Sequence, residues 1–250
     1  VCDSNASLYL DHLRNCINFK YPVAKKLETV KNPKNMIRLL LDYSNFTANR
    51  VAKKRPLVKD PLAIFSAEWL ARTFEMDVIV LIRHPAAFAG SLKHANWPFP
   101  FDHFLNQPFL MRDYLSDYAA VVEAFSTDKK DIVDQAILLW NIIHSTIIKY
   151  MNAHTEWHFV RHEDLSVDPL NEFRRIFRVL DLEYTQSIQS DILKSTQANS
   201  STNLNDPLSI ERDSKANIWG WKDRLTPQEI ERVRTGTRLI GSHFYDDEDW

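Results

Sequence analysis

"VIVLIRHPAAFAGSLK", Val78 to Lys93, sets five apolar residues in a row, then an arginine, a histidine and a proline, and runs on in a helix-like pattern with a serine eight positions after the arginine. A short continuous apolar run reads as a strand buried on both faces, and a proline just after it suits the first position of a helix. Two more stretches repeat the pattern. In "RPLVKDPLAIFSAEWLARTF", Asp60 stands as N-cap before Pro61, with Leu62, Phe65 and Leu70 on one face; in "WHFVRHEDLSVDPLNEFRRIFRVL", Asp168 caps before Pro169. Apolar strands alternating with capped helices predict an α/β fold: an open parallel sheet flanked by helices, with strands near Pro56 to Lys59, Val78 to Arg83 and His158 to Arg161.

The other segments read as helices. "PKNMIRLLLDY" and "DIVDQAILLWNIIHSTIIKYMN" carry helical periods, the second apolar over a wide face and so expected to be well buried. "TPQEIERVRTGTRLIGSHFY" opens with Thr226, Pro227 and Glu229 as a capping box and places Ile230, Val233, Ile240 and Phe244 on one period. Residues 197–218 are polar, lack a period and read as a loop. "HANWPFPFDHFLNQPFLMRDYL" mixes prolines and aromatics without a period, which fits either a loop wall or core beneath a loop.

With 250 residues, 44% of them hydrophobic, the chain is long enough for a proper core, and one domain over 1–250 is expected. A net charge of −2 and a pI of about 6.5 give no global field toward nucleic acid or an anionic membrane, so any anion site must be local. No apolar run reaches the roughly 20 residues of a membrane span, and the N-terminus lacks a signal-peptide pattern. Cys2 and Cys16 do not make the framework of a disulfide-dense secreted domain; a single bridge and a reduced compartment both stay open. The expectation is a soluble, cytoplasmic chain with no nucleic-acid partner; its oligomeric state stays open.

In an open parallel sheet, ligands sit beyond the carboxyl ends of the strands, where helix N-termini present unpaired N–H groups. Lys59 and Arg83 fall at such ends. The Arg83 fork suits a phosphate, and Ser91, about two helical turns on, offers a hydroxyl to the same group. The plainer alternative pairs Arg83 with a carboxylate and turns Ser91 back onto its own helix. His154, His158 and His162 recur every fourth residue, but without an H-E-x-x-H pattern, and no metal is expected. Glu163 and Asp164 read as bracing the turn after the third strand.

These stretches resemble the sulfotransferases that use 3′-phosphoadenosine 5′-phosphosulfate, over about Arg55 to Tyr245. "RPLVKDP" is similar to the family's strand with a lysine before a crossover helix, and "VLIRHPAAFAGS" resembles its 3′-phosphate motif. "WHFVRHEDLSVDPLNEFRRIFRVLDL" and "WGWKDRLTPQEIERV" resemble the later strand-turn-helix and the closing segment. The resemblance implies a P-loop-type nucleotide-binding fold. It implies that Arg83 and Ser91 hold the 3′-phosphate, that Lys59 stabilises the leaving oxygen, and that Arg212 and Lys215 close over the 3′-phosphate from a basic loop. No residue matches a family base by motif; His94, one turn beyond Ser91, is the candidate, set against a plain surface histidine.

The implied donor is 3′-phosphoadenosine 5′-phosphosulfate and the product adenosine 3′,5′-bisphosphate, with a small-molecule or carbohydrate acceptor. The family's glycine-rich 5′-phosphosulfate loop has no counterpart among Gly90, Gly220, Gly236 and Gly241, so the first strand-loop unit is expected upstream of Val1. The alternative is a non-catalytic binding or scaffold protein that keeps the fold.

Overall fold

The computed structural model describes residues 1–60, 62–128, 130–196, 215 and 218–250. The chain divides into two compact units, Val1–Thr73 and Phe74–Trp250.

The first unit is helical. It holds α1 (Leu10–Ile17), α2 (Val23–Leu27), α3 (Pro33–Val51) and α4 (Ala67–Phe74), the last preceded by a 3-10 turn at Ala63–Ser66. Asn32 caps α3 by accepting from the Asn35 amide, with Pro33 at the first helical position. Phe19 and Tyr21 pack edge-on against Phe46 of α3, and Asp3 receives two hydrogen bonds from Arg72 at 2.7 Å.

The second unit opens with β1 (Ile79–Ile82) and α5 (Pro85–Ala95). The short helices α6 (Asp102–Leu105) and α7 (Pro108–Asp113) follow, then α8 (Ala119–Thr127) and the 22-residue α9 (Ile132–Ala153). Next come β2 (His158–Arg161), α10 (His162–Val167), α11 (Pro169–Val179), α12 (Gln186–Thr196), α13 (Trp221–Arg224) and α14 (Pro227–Gly241). The core lies where α5, α9, α13 and α14 meet: Ala86, Ala89, Val133, Ala136, Trp221 and Val233 are almost fully buried there. Small residues on α5 let α13 come close, and a Cβ added to Gly90 would stand 3.3 Å from Trp221 Cβ.

The α/β expectation is corrected here. Among the described residues the fold is mostly helical, and its one sheet is the parallel pair β1–β2, in register Ile79↔His158 to Ile82↔Arg161. No strand forms at Pro56–Lys59, where Leu57 is 88% exposed. Pro56 brings no N–H, and an apolar run becomes a strand only where a neighbour accepts its ladder. Nor is the sheet covered on both faces: Val80 and Ile82 are buried while Leu81 is 57% exposed.

In the aromatic stretch after α5, Phe101, Phe104 and Leu115 are buried, whereas Trp97 is 63% exposed. The predicted capping box at Thr226 and Glu229, the cap at Asp168 and the long buried helix are present in the structure.

Candidate functional site

The register of the strand pair sets Arg83 and His162 as the first residues beyond its carboxyl edge. Two long-range hydrogen bonds fix the backbone there. The Trp140 indole on α9 donates to the Arg83 carbonyl at 2.9 Å, and the His84 amide donates to Glu163 Oε1 at 3.0 Å. The second oxygen of Glu163 accepts from the Tyr245 hydroxyl at 2.9 Å. This buried carboxylate therefore ties both strand ends to the chain's closing segment, the bracing role its position suggested.

His84 caps α5 with its ring. Nδ1 accepts from the Ala86 amide at 3.2 Å, which puts the ring proton on Nε2. The imidazole stacks on Trp221 with 5.3 Å between centroids and meets the edges of Tyr245 and Trp250 at 4.8 and 4.5 Å. Burial, and after it the charges of Arg161 and Lys222, lower its pKa to about 3, so the ring is neutral at physiological pH. Tyr245 is pushed well above the ordinary phenol range by burial and by the neighbouring Glu163 carboxylate.

Arg161, the last residue of β2, is committed to structure. It donates to the Phe244 carbonyl at 3.1 Å and to both oxygens of Asp249, and its guanidinium lies 4.9 Å over the Tyr245 ring. His162, by contrast, answers to Arg83. Burial, and then the positive charge of Arg83, hold its pKa below the histidine range against the opposing pull of Glu163. The edge thus carries the Arg83 guanidinium beside an imidazole whose protonation is disfavoured, at the start of an eleven-residue helix whose dipole also favours an anion.

Ser91 lies half-buried on α5, two turns beyond Arg83 on the same strand-to-helix unit. His94 is exposed near the end of that helix, whereas Lys93 beside it binds the Glu229 carboxylate at 2.7 Å. Lys59 is exposed in the first unit, on a segment without regular structure. Lys215 is exposed, and Arg212 lies outside the described residues. Arg83, in the turn between β1 and α5, and Ser91, on α5, thus share one strand-to-helix segment, and Lys59 belongs to the other unit. His154 ends α9 and stacks on Trp157, while His158 lies within β2.

Sequence reasoning missed the ring of Trp221, Tyr245 and Trp250 around His84. The only local sign was a histidine immediately before a proline, at a position where side chains with an acceptor cap helices. No family model, curated protein or solved structure matches the chain.

Proposed function

We propose that the chain binds 3′-phosphoadenosine 5′-phosphosulfate as a sulfotransferase, with Arg83 and Ser91 taking the nucleotide's 3′-phosphate. The observation that carries the reading is the placement of Arg83 between the carboxyl end of a parallel strand and the N-terminus of α5, with Ser91 on the same helix. In the reaction an acceptor hydroxyl or amine attacks sulfur, the sulfur–oxygen bond to the 5′-phosphate breaks, and adenosine 3′,5′-bisphosphate leaves with the electron pair. The acceptor's proton passes to a base, for which His94 is the candidate. Arg212 and Lys215 would close over the 3′-phosphate. The acceptor class is a small molecule or carbohydrate. A cytoplasmic setting accords with Cys2 and Cys16, which are both free thiols.

The second reading is a non-catalytic nucleotide-binding protein, and one observation favours it: no glycine in the chain has a positive φ. Gly90, Gly236 and Gly241 sit within helices and Gly220 stands just before α13 with a negative φ, so none serves a phosphate-cradling loop.

Calorimetry with adenosine 3′,5′-bisphosphate tests the shared part of both readings. Binding is expected, with Arg83→Ala weakening it by about 2 kcal/mol, the scale of a lost charge-assisted contact. Equal affinity for wild type and variant removes Arg83 from the site. Sulfate transfer from labelled donor to a panel of phenols, alcohols and sugars then separates enzyme from binding protein.

A further inference from the structure

A cavity of about 730 Å³ in the second unit is a groove between α8, α9 and α14, remote in chemistry from the strand edge. Its floor is apolar, made by Val121, Phe125, Ile137 and Leu138. Its volume falls in the range of small-molecule sites.

The polar groups around that floor are biased toward accepting hydrogen bonds. Asn141 donates its amide to the Gly236 carbonyl at 2.9 Å, which fixes the side chain's orientation and leaves Oδ1 as a buried acceptor without a protein partner. The Thr235 hydroxyl is turned to Glu231 Oε1 at 3.2 Å. Arg232 lies between Asp131 and Asp134, at 3.3 and 3.4 Å, so one guanidinium faces two carboxylates. Lys130 stands over the Phe125 ring but is matched by Asp128 at 3.1 Å. Among the described residues, Asp128, Asp131, Asp134 and Glu231 against Lys130 and Arg232 leave the groove's surroundings negative.

We propose that this groove binds a small apolar amine, its ring or chain on the Phe125–Ile137 floor and its ammonium on the acceptors of Asn141, Asp134 and Glu231. An ammonium brings donors only, which is what a buried carbonyl oxygen and an excess of carboxylates require, and its charge cancels part of theirs. An anion meets the repulsion of these carboxylates there. The inference does not depend on the nucleotide reading, which concerns an anion at another place.

Three indoles of one shape and different charge test it: tryptamine, tryptophol and indole-3-acetate, titrated at pH 7 by calorimetry and by the methyl NMR signal of Ile137. Tryptamine is expected to bind at least tenfold tighter than tryptophol, with indole-3-acetate weakest, and to shift the Ile137 methyl. Glu231→Gln, an exposed change on α14, should lower tryptamine affinity severalfold and leave tryptophol unchanged; Thr235→Trp, also exposed, should block both. Equal binding of the three indoles would mark the groove as a plain apolar surface for another chain and overturn the proposal. So would no saturable binding, or tryptamine affinity untouched by both substitutions.

Discussion

Glu163 is buried with both oxygens occupied, one by the His84 amide and one by the Tyr245 hydroxyl, so removing either donor leaves part of a carboxylate unsatisfied. Tyr245→Phe should cost about 2 kcal/mol in denaturant unfolding, the range for a hydrogen bond to a charged group, and an unchanged midpoint would show that this oxygen finds another donor. The neutral histidines give a pH signature. His84 and His144 have pKa values lowered to about 3 and about 4, burial being the first cause in each. The unfolded chain takes up these protons near pH 6.5 and the folded chain does not, so stability is fully present above pH 6.5. It is lost as pH falls toward 3 to 4, by up to about 1.4 kcal/mol per pH unit for each group. His84→Asn keeps a capping acceptor without the titration, and should flatten the decline in Tm between pH 6.5 and 4. A slope equal to the wild type's would assign the decline elsewhere. Arg83 was legible in the sequence because a charge ending an apolar run is a local signal. His84 was not, because the rings that enclose it come from the far end of the chain.

At the scale of elements, caps and periods were readable and pairings were not. Thr226 and Glu229 form their reciprocal bonds at 3.2 and 2.7 Å, and Glu229 also anchors Lys93 of α5. Thr226→Ala should therefore destabilise by about 1 kcal/mol, measured by thermal or denaturant unfolding. The stretch Pro56–Lys59 showed the same apolar signal as the true strands. A strand, however, is completed by another strand, and its own residues do not reveal whether one is present. Packing between α9 and α14 hid a similar dependence. A Cβ on Gly236 would meet Ile137 Cγ2 at 2.8 Å, and this branched carbon has little freedom to move. Overpacking costs about 1–3 kcal/mol, whereas alanine's helix propensity returns up to about 1. Gly236→Ala should thus lower stability on balance, and a raised Tm would show that the two helices can separate at little cost.

For the molecule as a whole, the second unit holds a complete core of its own in α5, α9, α13 and α14. A fragment beginning at Phe74 should unfold in one cooperative transition by circular dichroism; a broad, non-cooperative melt would mean that the core needs residues before it. The two units could not be foreseen from composition, because no proline-, glycine- or charge-rich linker marks the boundary at Thr73. No described helix is long and apolar enough to cross a membrane.

The parallel pairing of β1 with β2 also bears on the order of folding. Five helices lie between the two strands, so their ladder closes only after the entropy of a long loop has been overcome, whereas the bonds within α9 are local. The edge that carries Arg83 and His162 should consequently be among the last features to assemble. In pulse-labelled hydrogen exchange during refolding, amides of α9 should gain protection before the His158 amide, which donates to the Val78 carbonyl at 3.0 Å. Simultaneous protection would mean that the strands meet in the same early step as the helices. If the order holds, nascent chains pass through a helical state that has its core but does not yet present the strand edge at Arg83 and His162.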